Sequence, residues 1–175
     1  HKVVYSLYEN YLTAGSSLLF GGVDVEQFIG NLSVVPLIEV PYAFNDTRNA
    51  SAIAITLSSI YFDDEYNGKN GSSVLASGLG AAIIDTTAAT AALPYYIFNE
   101  IVSSAGFNYS EPLDAYVANA TELVNKTVVF DFQGVEIEVP VIDLTFPLVE
   151  LRTGNMTDFV VFGVDATYDT YVLGD

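Results

Sequence analysis

Hydrophobic and polar positions alternate along most of this chain, and the alternation is sharpest in VVFDFQGVEIEVP, residues 128–140. Val128, Phe130 and Phe132 fall on one side and Asp131 on the other, Gln133-Gly134 supplies a turn, and Val135, Ile137 and Val139 then alternate with Glu136 and Glu138. A period of two around a glycine turn predicts a half-buried hairpin. The same strand density recurs at residues 2–12, 16–20, 23–40 and 52–62, and again at 142–151, 158–164 and 170–173; Ala14-Gly15 and Gly21-Gly22 break the first runs.

One segment departs from this period. Ile97, Phe98, Ile101 and Val102 recur at helical spacing behind Pro94 and ahead of Gly106, which predicts one amphipathic helix with proline at its first position and glycine at its stop. Residues 113–123 predict a second, shorter helical or irregular segment. Residues 41–51 are polar and read as a solvated loop. Asp63, Asp64 and Glu65, ahead of Asn67-Gly68 and Asn70-Gly71, lack the spacing of a calcium loop and read as a solvated hairpin tip. The sum is a mostly β, mostly antiparallel fold with one or two short helices.

The chain is organised around residues 77–94, SGLGAAIIDTTAATAALP. Small and branched apolar residues run through 79–84 and end on a single acid, Asp85, followed by Thr86 and Thr87. An acid at the end of an apolar strand is expected to be buried, and a buried carboxylate is costly unless it is hydrogen-bonded or shares its proton. Two readings follow from the local pattern: a turn aspartate that caps the next element through Thr86 and Thr87, or a carboxylate with chemistry to perform.

Composition narrows that chemistry. Acids outnumber Lys and Arg 22 to 5, for a formal charge of -17; this argues against nucleic acid and anionic membranes as partners and suits an acidic medium. With 51% hydrophobic and 15% charged residues, the 175-residue chain is neither disordered nor a coiled coil and is long enough to bury a core. None of its apolar runs approaches the roughly 20 residues of a membrane span. Cysteine is absent, which removes disulfides, thiol nucleophiles and thiolate metal sites, and the one histidine, His1, is terminal, which removes Ser-His-Asp triads and histidine metal centres. Neither a metal nor a cofactor is expected. A cysteine-free chain hints at a reducing compartment. The Asn-X-Ser/Thr sequons at Asn31, Asn45, Asn49, Asn70, Asn108, Asn119, Asn125 and Asn155 outweigh that hint and predict a glycoprotein of the secretory pathway, secreted or at the cell surface. The 12 Tyr and 11 Phe residues lie mostly in strand patterns and are expected to fill the core rather than stack on carbohydrate.

Taken in order, the chain resembles the C-terminal lobe of a pepsin-like aspartic endopeptidase of the fungal secreted or yapsin-like kind. The likeness rests on YSLYEN (5–10), LLFGGVDVEQFIGNLSVVPL (18–37), GLGAAIIDTTAATAALP (78–94) and TYVLGD (170–175), the last resembling a run that lies beside the catalytic loop in that family. The resemblance implies a single domain over residues 1–175, one lobe of a bilobal fold, ending before the family's closing C-terminal segment.

It also implies peptide-bond hydrolysis at acid pH by two aspartates about 3 Å apart that share a proton, one from each lobe. Asp85 would be this lobe's catalytic aspartate, and Thr86 the residue whose hydroxyl ties the two catalytic loops together. Two positions depart from the family's Asp-Ser/Thr-Gly-Ser/Thr pattern. Thr87 replaces the glycine and is expected to crowd the carboxylate; Ala88 replaces a hydroxyl residue that would bond to it, so preorganisation is expected to weaken. The lobe's usual cysteine pair is replaced at Ala120 and near Val160.

The implied partners are an N-terminal lobe or a second chain carrying the other aspartate, a polypeptide substrate if the protein is active, and further copies pairing through exposed strand edges. By itself, the chain is expected to be inactive, since one carboxylate makes no dyad. A catalytically inactive pepsin-like glycoprotein serving as a structural or binding module is the alternative, and a surface β domain unrelated to proteases is a third reading.

Overall fold

A computed structural model of the chain describes residues 5–8, 17–24, 26, 32–41, 51–64, 73–85, 87–149 and 154–174. The chain forms two compact units, drawn from residues 1–34 and from residues 35–174.

In the first unit, β1 (Tyr5–Tyr8) pairs antiparallel with β2 (Ser17–Phe20), Tyr5 opposite Phe20 and Tyr8 opposite Ser17. This is the expected pair, as far as the described residues reach. Of the run read at strand density over residues 23–40, residues 25 and 27–31 lie outside the described residues, and residues 23, 24 and 26 are not in a strand. Residues 32–36 are irregular, and β3 (Leu37–Pro41) starts only after Pro36, which has no N–H to give to a ladder.

The second unit continues with β4 (Ser51–Asp64), β5 (Ser73–Ile84), β6 (Ala92–Pro94), α1 (Tyr95–Ala105), β7 (Asn108–Ser110), β8 (Ala115–Asn119), β9 (Lys126–Phe132), β10 (Val135–Pro140), β11 (Thr145–Val149), β12 (Met156–Phe162), β13 (Asp165–Thr167) and β14 (Tyr171–Leu173). One sheet has the order β10-β9-β4-β5-β14-β6-β13, with β3 also on β4; the other has the order β11-β12-β8-β7. Asp63 and Asp64, expected in a solvated hairpin tip, are half-buried at the end of β4 opposite Thr127 and Lys126, and Pro41 and Ser51, expected in a solvated loop, pair with each other in β3 and β4. The rest of that tip and loop, residues 65–72 and 42–50, lies outside the described residues.

Local sequence explains several of these elements. Val128, Phe130 and Phe132 are buried as the alternation requires. Gln133 (φ 58°) and Gly134 (φ 89°) both take left-handed conformations, the pair of positive φ angles that a two-residue hairpin with the right twist demands. Pro94 is the N-cap of α1, one position earlier than expected, and Gly106 (φ 84°) ends the helix with its N–H directed to the Val102 and Ser103 carbonyls. The face that α1 buries consists of Ile97, Phe98, Ile101, Val102 and Ala105.

The strand pairing is mostly antiparallel, as expected, with β14 running parallel to β5 and β13 parallel to β6. Two further expectations are corrected. Residues 113–123 hold strand β8 and a single 3-10 turn, Ala120–Glu122, because Ala118 faces the core in strand alternation. The strand expected from residue 142 starts at Thr145, after a 3-10 turn over Val141–Leu144 that follows Pro140.

The core joins Leu57 and Ile60 of β4 to Ile97 and Ile101 of α1, all fully buried, and takes in Ala118, Val160 and Phe162 of the four-stranded sheet. Each of these leucine and isoleucine side chains stabilises the fold by about 1.5–3 kcal/mol relative to exposure. Aromatic rings close the far end, with Phe162 against Phe98 at 5.4 Å and against Phe107 at 4.9 Å. At the two positions where the resemblance implies a replaced cysteine pair, Val160 is buried opposite Ala118, and Ala120 packs half-buried on the same core.

Candidate active site

β5 carries its small apolar residues through the middle of the first sheet and delivers Asp85 to the sheet's end. There the Asp85 N–H donates to the Leu173 carbonyl at 3.0 Å, one step beyond the parallel β5–β14 ladder in which Leu173 faces Ile84. The chain then turns, with the Ala88 N–H donating to the Asp85 carbonyl at 3.2 Å. It returns as β6 on the other side of β14, where Ala92 faces Val172. β14 thus separates the two arms of the Asp85 loop.

Two contacts hold the returning arm. Thr90 Oγ1 donates to Asp165 Oδ2 at 2.7 Å, and the Asp165 N–H donates to the Ala91 carbonyl at 2.8 Å. Gly174 presses against the same arm. A Cβ placed there would lie 2.2 Å from the Thr90 oxygen and 2.8 Å from the Ala88 oxygen, so the close approach admits no side chain.

Asp85 is half-buried, not enclosed as its position after an apolar strand implied. Its Oδ1 accepts the Thr87 hydroxyl at 2.6 Å and the Thr87 N–H at 2.9 Å. Of the two local readings, this geometry matches a turn aspartate bonded two residues ahead. These donors favour the ionised form: the Thr87 hydroxyl most strongly and then the Thr87 N–H hold the carboxyl below the ordinary aspartate value of 3.8 against the opposing effect of burial, with the Ala88 N–H adding least.

Thr87, expected to crowd the carboxylate, is exposed and bonds to it instead. Non-glycine residues with positive φ among the described residues are Asp114, Asn125 and Gln133, so the backbone at Thr87 requires no glycine. Its hydroxyl supplies the bond that Ala88 cannot. Thr86 lies outside the described residues, as do Asn31, Asn45, Asn49 and Asn70. Of the remaining sequons, Asn108, Asn125 and Asn155 are exposed and Asn119 is half-buried. No cluster of three or more metal-ligating side chains occurs among the described residues.

Residues 1–175 match the family model for eukaryotic aspartyl proteases. The chain belongs to that family. This aspartyl protease chain is 29% identical over 174 residues to the probable aspartic-type endopeptidase opsB of Aspergillus oryzae, covering 98% of this chain and 34% of that protein. It is 31% identical over 143 residues to aspartic proteinase 3 of Saccharomyces cerevisiae, covering 78% of this chain and 23% of that one. With aspartic proteinase yapsin-3 of the same yeast it shares 28% over 173 residues, 98% of this chain and 32% of the other. The chain thus spans 23–34% of the length of these three relatives. In fold it is similar to the crystal structure of aspartic proteinase from Irpex lacteus, with a TM-score of 0.63 at 17% identity, over 92% of this chain and 45% of that one. The mostly β, pepsin-like fold expected from the sequence is therefore present.

Gly174, Leu173, Thr90 and Asp165 are the positions that sequence reasoning did not assign to this site. Gly174 and Leu173 belong to the run noted as resembling one that lies beside the catalytic loop in that family. The Thr90–Asp165 bond spans 75 positions and leaves no local signal.

Proposed function

We propose that this chain is the second lobe of a two-lobed aspartic endopeptidase, with Asp85 as its half of an aspartate pair. The other carboxylate comes from a lobe or chain outside residues 1–175, and the substrate is a polypeptide. The observation that carries this reading is the placement of Asp85. It leaves the end of a central strand on a loop braced by Leu173, Gly174 and Asp165, with two donors on Oδ1 and neither of them on Oδ2.

In such a pair the protons come off in steps that belong to both groups. Donors fixed on Oδ1 stabilise charge on Asp85, which suits it to accept a proton from a bound water, while the partner carboxyl donates toward the scissile carbonyl. Thr86, next in the motif, is proposed to tie the two loops together. A shared proton requires an acidic medium, in keeping with the formal charge of -17. The sequons support a secreted or surface glycoprotein. Residues 1–175 alone hold one half of the pair and have no hydrolytic activity.

The test is cleavage of a denatured protein substrate at acid pH by the longer polypeptide, compared with its Asp85→Asn variant. Wild-type activity that falls to background in the variant is the expected result; undiminished cleavage by Asp85→Asn overturns the reading. Peptide mapping of native material identifies the source of the second carboxylate, whether a further lobe, a companion chain or a second copy paired through strand edges.

The exchange of glycine and hydroxyl residue for Thr87 and Ala88 favours a second reading, a pepsin-like glycoprotein that binds without cleaving. That reading takes over if the two-lobed wild type neither cleaves nor binds a mimic of the tetrahedral intermediate.

A further inference from the structure

The four-stranded sheet buries one face and leaves the other uncovered. Val160, Phe162 and Ala118 point into the core. On the opposite face one row crosses all four strands: Phe146 faces Val161, Val161 faces Val117, and Val117 faces Asn108. Directly opposed residues share a face, as do residues two apart in a strand. Phe159 and Asn119, paired with each other, therefore form a second row on that same side.

Two rings on this outer face are open, Phe146 44% and Phe159 48% exposed, with Val161 and Val117 half-buried beside them. Contiguous exposed apolar surface of this kind calls for a cover. Both polar residues in the two rows, Asn108 and Asn119, begin Asn-X-Ser/Thr sequons, and neither had to fall on this face. A shift of one residue in either strand would have turned its asparagine to the core side.

We propose that Asn108 and Asn119 carry N-linked glycans that cover the outer face of the four-stranded sheet. The proposal rests on the glycoprotein reading above and narrows it to two sites and one role.

Side-chain geometry fits the modification. Asn119 Oδ1 accepts the Thr121 hydroxyl at 2.7 Å and the Thr121 N–H at 2.9 Å, so the side chain is held through its oxygen while Nδ2, the atom that is glycosylated, takes no part in those bonds. Asn108 Nδ2 makes only a long contact, 3.4 Å, to the Gly106 carbonyl, and a glycosylated amide keeps one N–H to maintain it. In the transfer, Nδ2 bonds to the anomeric carbon of an oligosaccharide carried on a diphospholipid. The carrier leaves with the bonding pair, and one amide proton goes to base. Cβ atoms of a directly opposed pair lie about 4.5–5.5 Å apart, so the first sugar on Asn119 reaches the Phe159 ring and lays its C–H face on it.

The test is glycopeptide mass spectrometry on protein made in a eukaryotic secretory host, followed by binding of a hydrophobic fluorescent dye. Both asparagines are expected to be occupied. Removing the glycans from the folded protein with peptide N-glycosidase is expected to raise dye fluorescence several-fold, and a Ser110→Ala, Thr121→Ala variant, which keeps both asparagines, should show the same rise and self-associate in sedimentation. Asn125→Gln, at a sequon in a turn away from these rows, should show neither change. Bare Asn108 and Asn119 beside glycans at other sequons would overturn the proposal and leave the glycoprotein reading standing. Glycans at both sites whose removal leaves dye binding unchanged would overturn the covering role. A protein with no glycan at any sequon would overturn both readings.

Discussion

Thr87 donates its backbone N–H and its hydroxyl to the same oxygen of Asp85, at 2.9 Å and 2.6 Å. Glycine at this position could offer only the first of these bonds. Thr87→Val keeps the shape and removes the hydroxyl, so the Asp85 carboxyl should titrate closer to its ordinary value of 3.8, and Thr87→Ser should restore the depression. The sign for stability follows. A depressed carboxyl contributes fully above its unfolded value and loses that contribution as pH falls through the folded one. The wild-type advantage over Thr87→Val should therefore be present at neutral pH and vanish in acid below 3.8. Carboxyl-detected NMR titration checks this, and an unmoved Asp85 resonance in Thr87→Val would refute the assigned cause.

Gly174 holds the returning arm of the same loop through close approach alone. A methyl group there meets the Thr90 oxygen at 2.2 Å and the Thr90 carbon at 2.6 Å, and both are backbone atoms that cannot swing aside. Gly174→Ala should cost about 1–3 kcal/mol or more, in the range of overpacked sites. Gly80→Ala is the control, since its Cβ would meet nothing within 4 Å. Urea unfolding of the two variants should separate them clearly, and equal stability would mean that the loop yields without cost.

These two residues also show where sequence reading stops. The β9–β10 hairpin and α1 were legible because their signals are local: apolar spacing, a glycine turn, and proline and glycine at the two ends of the helix. The parallel pairing of β14 with β5 joins Leu173 to Ile84, far apart in sequence, and no periodicity announces it. β8 was hidden for a different reason, since AYVAN alternates too briefly to outweigh its helix-tolerant alanines. At the site, Asp85 and the departures at Thr87 and Ala88 were visible as residue types. What the Thr87 hydroxyl does was not, because its bond depends on the path of the backbone after Asp85.

Tyr171, on the strand between the two arms, is buried, and its hydroxyl lies 2.8 Å from that of Tyr96. Burial, followed by this bond, pushes its ionisation well above the ordinary tyrosine value of 10.0. A raised folded value means that the contribution to stability is present below the unfolded value and is lost as pH climbs above it. Tyr96→Phe leaves the buried hydroxyl without this partner and should cost about 1–3 kcal/mol near neutrality. Spectrophotometric titration should show one tyrosine ionising only on alkaline unfolding in the wild type. Ionisation of all tyrosines at the ordinary value with the fold intact would contradict its burial.

Lys126 caps α1 from outside the helix. The last turn of α1 has no basic residue of its own, yet Lys126 Nζ donates to the Ala105 carbonyl at 2.8 Å, placing a cation at the negative end of the helix and satisfying one of its terminal acceptors. The same lysine sits opposite Asp64 in the β4–β9 register, so removing it touches both helix and sheet. Salt separates the two contributions. A cross-strand charge pair weakens as ionic strength rises, whereas a direct, half-buried hydrogen bond to a carbonyl is screened far less. Lys126→Met should therefore lose about 1–2 kcal/mol, the range for a cation at a partly buried helix end, and keep most of that loss in high salt. Asp64→Asn should lose less and converge on the wild type as salt is added. Chemical unfolding at low and high ionic strength gives both numbers. A Lys126→Met defect that disappears in salt would assign the lysine to the sheet and leave the end of α1 to Gly106 alone.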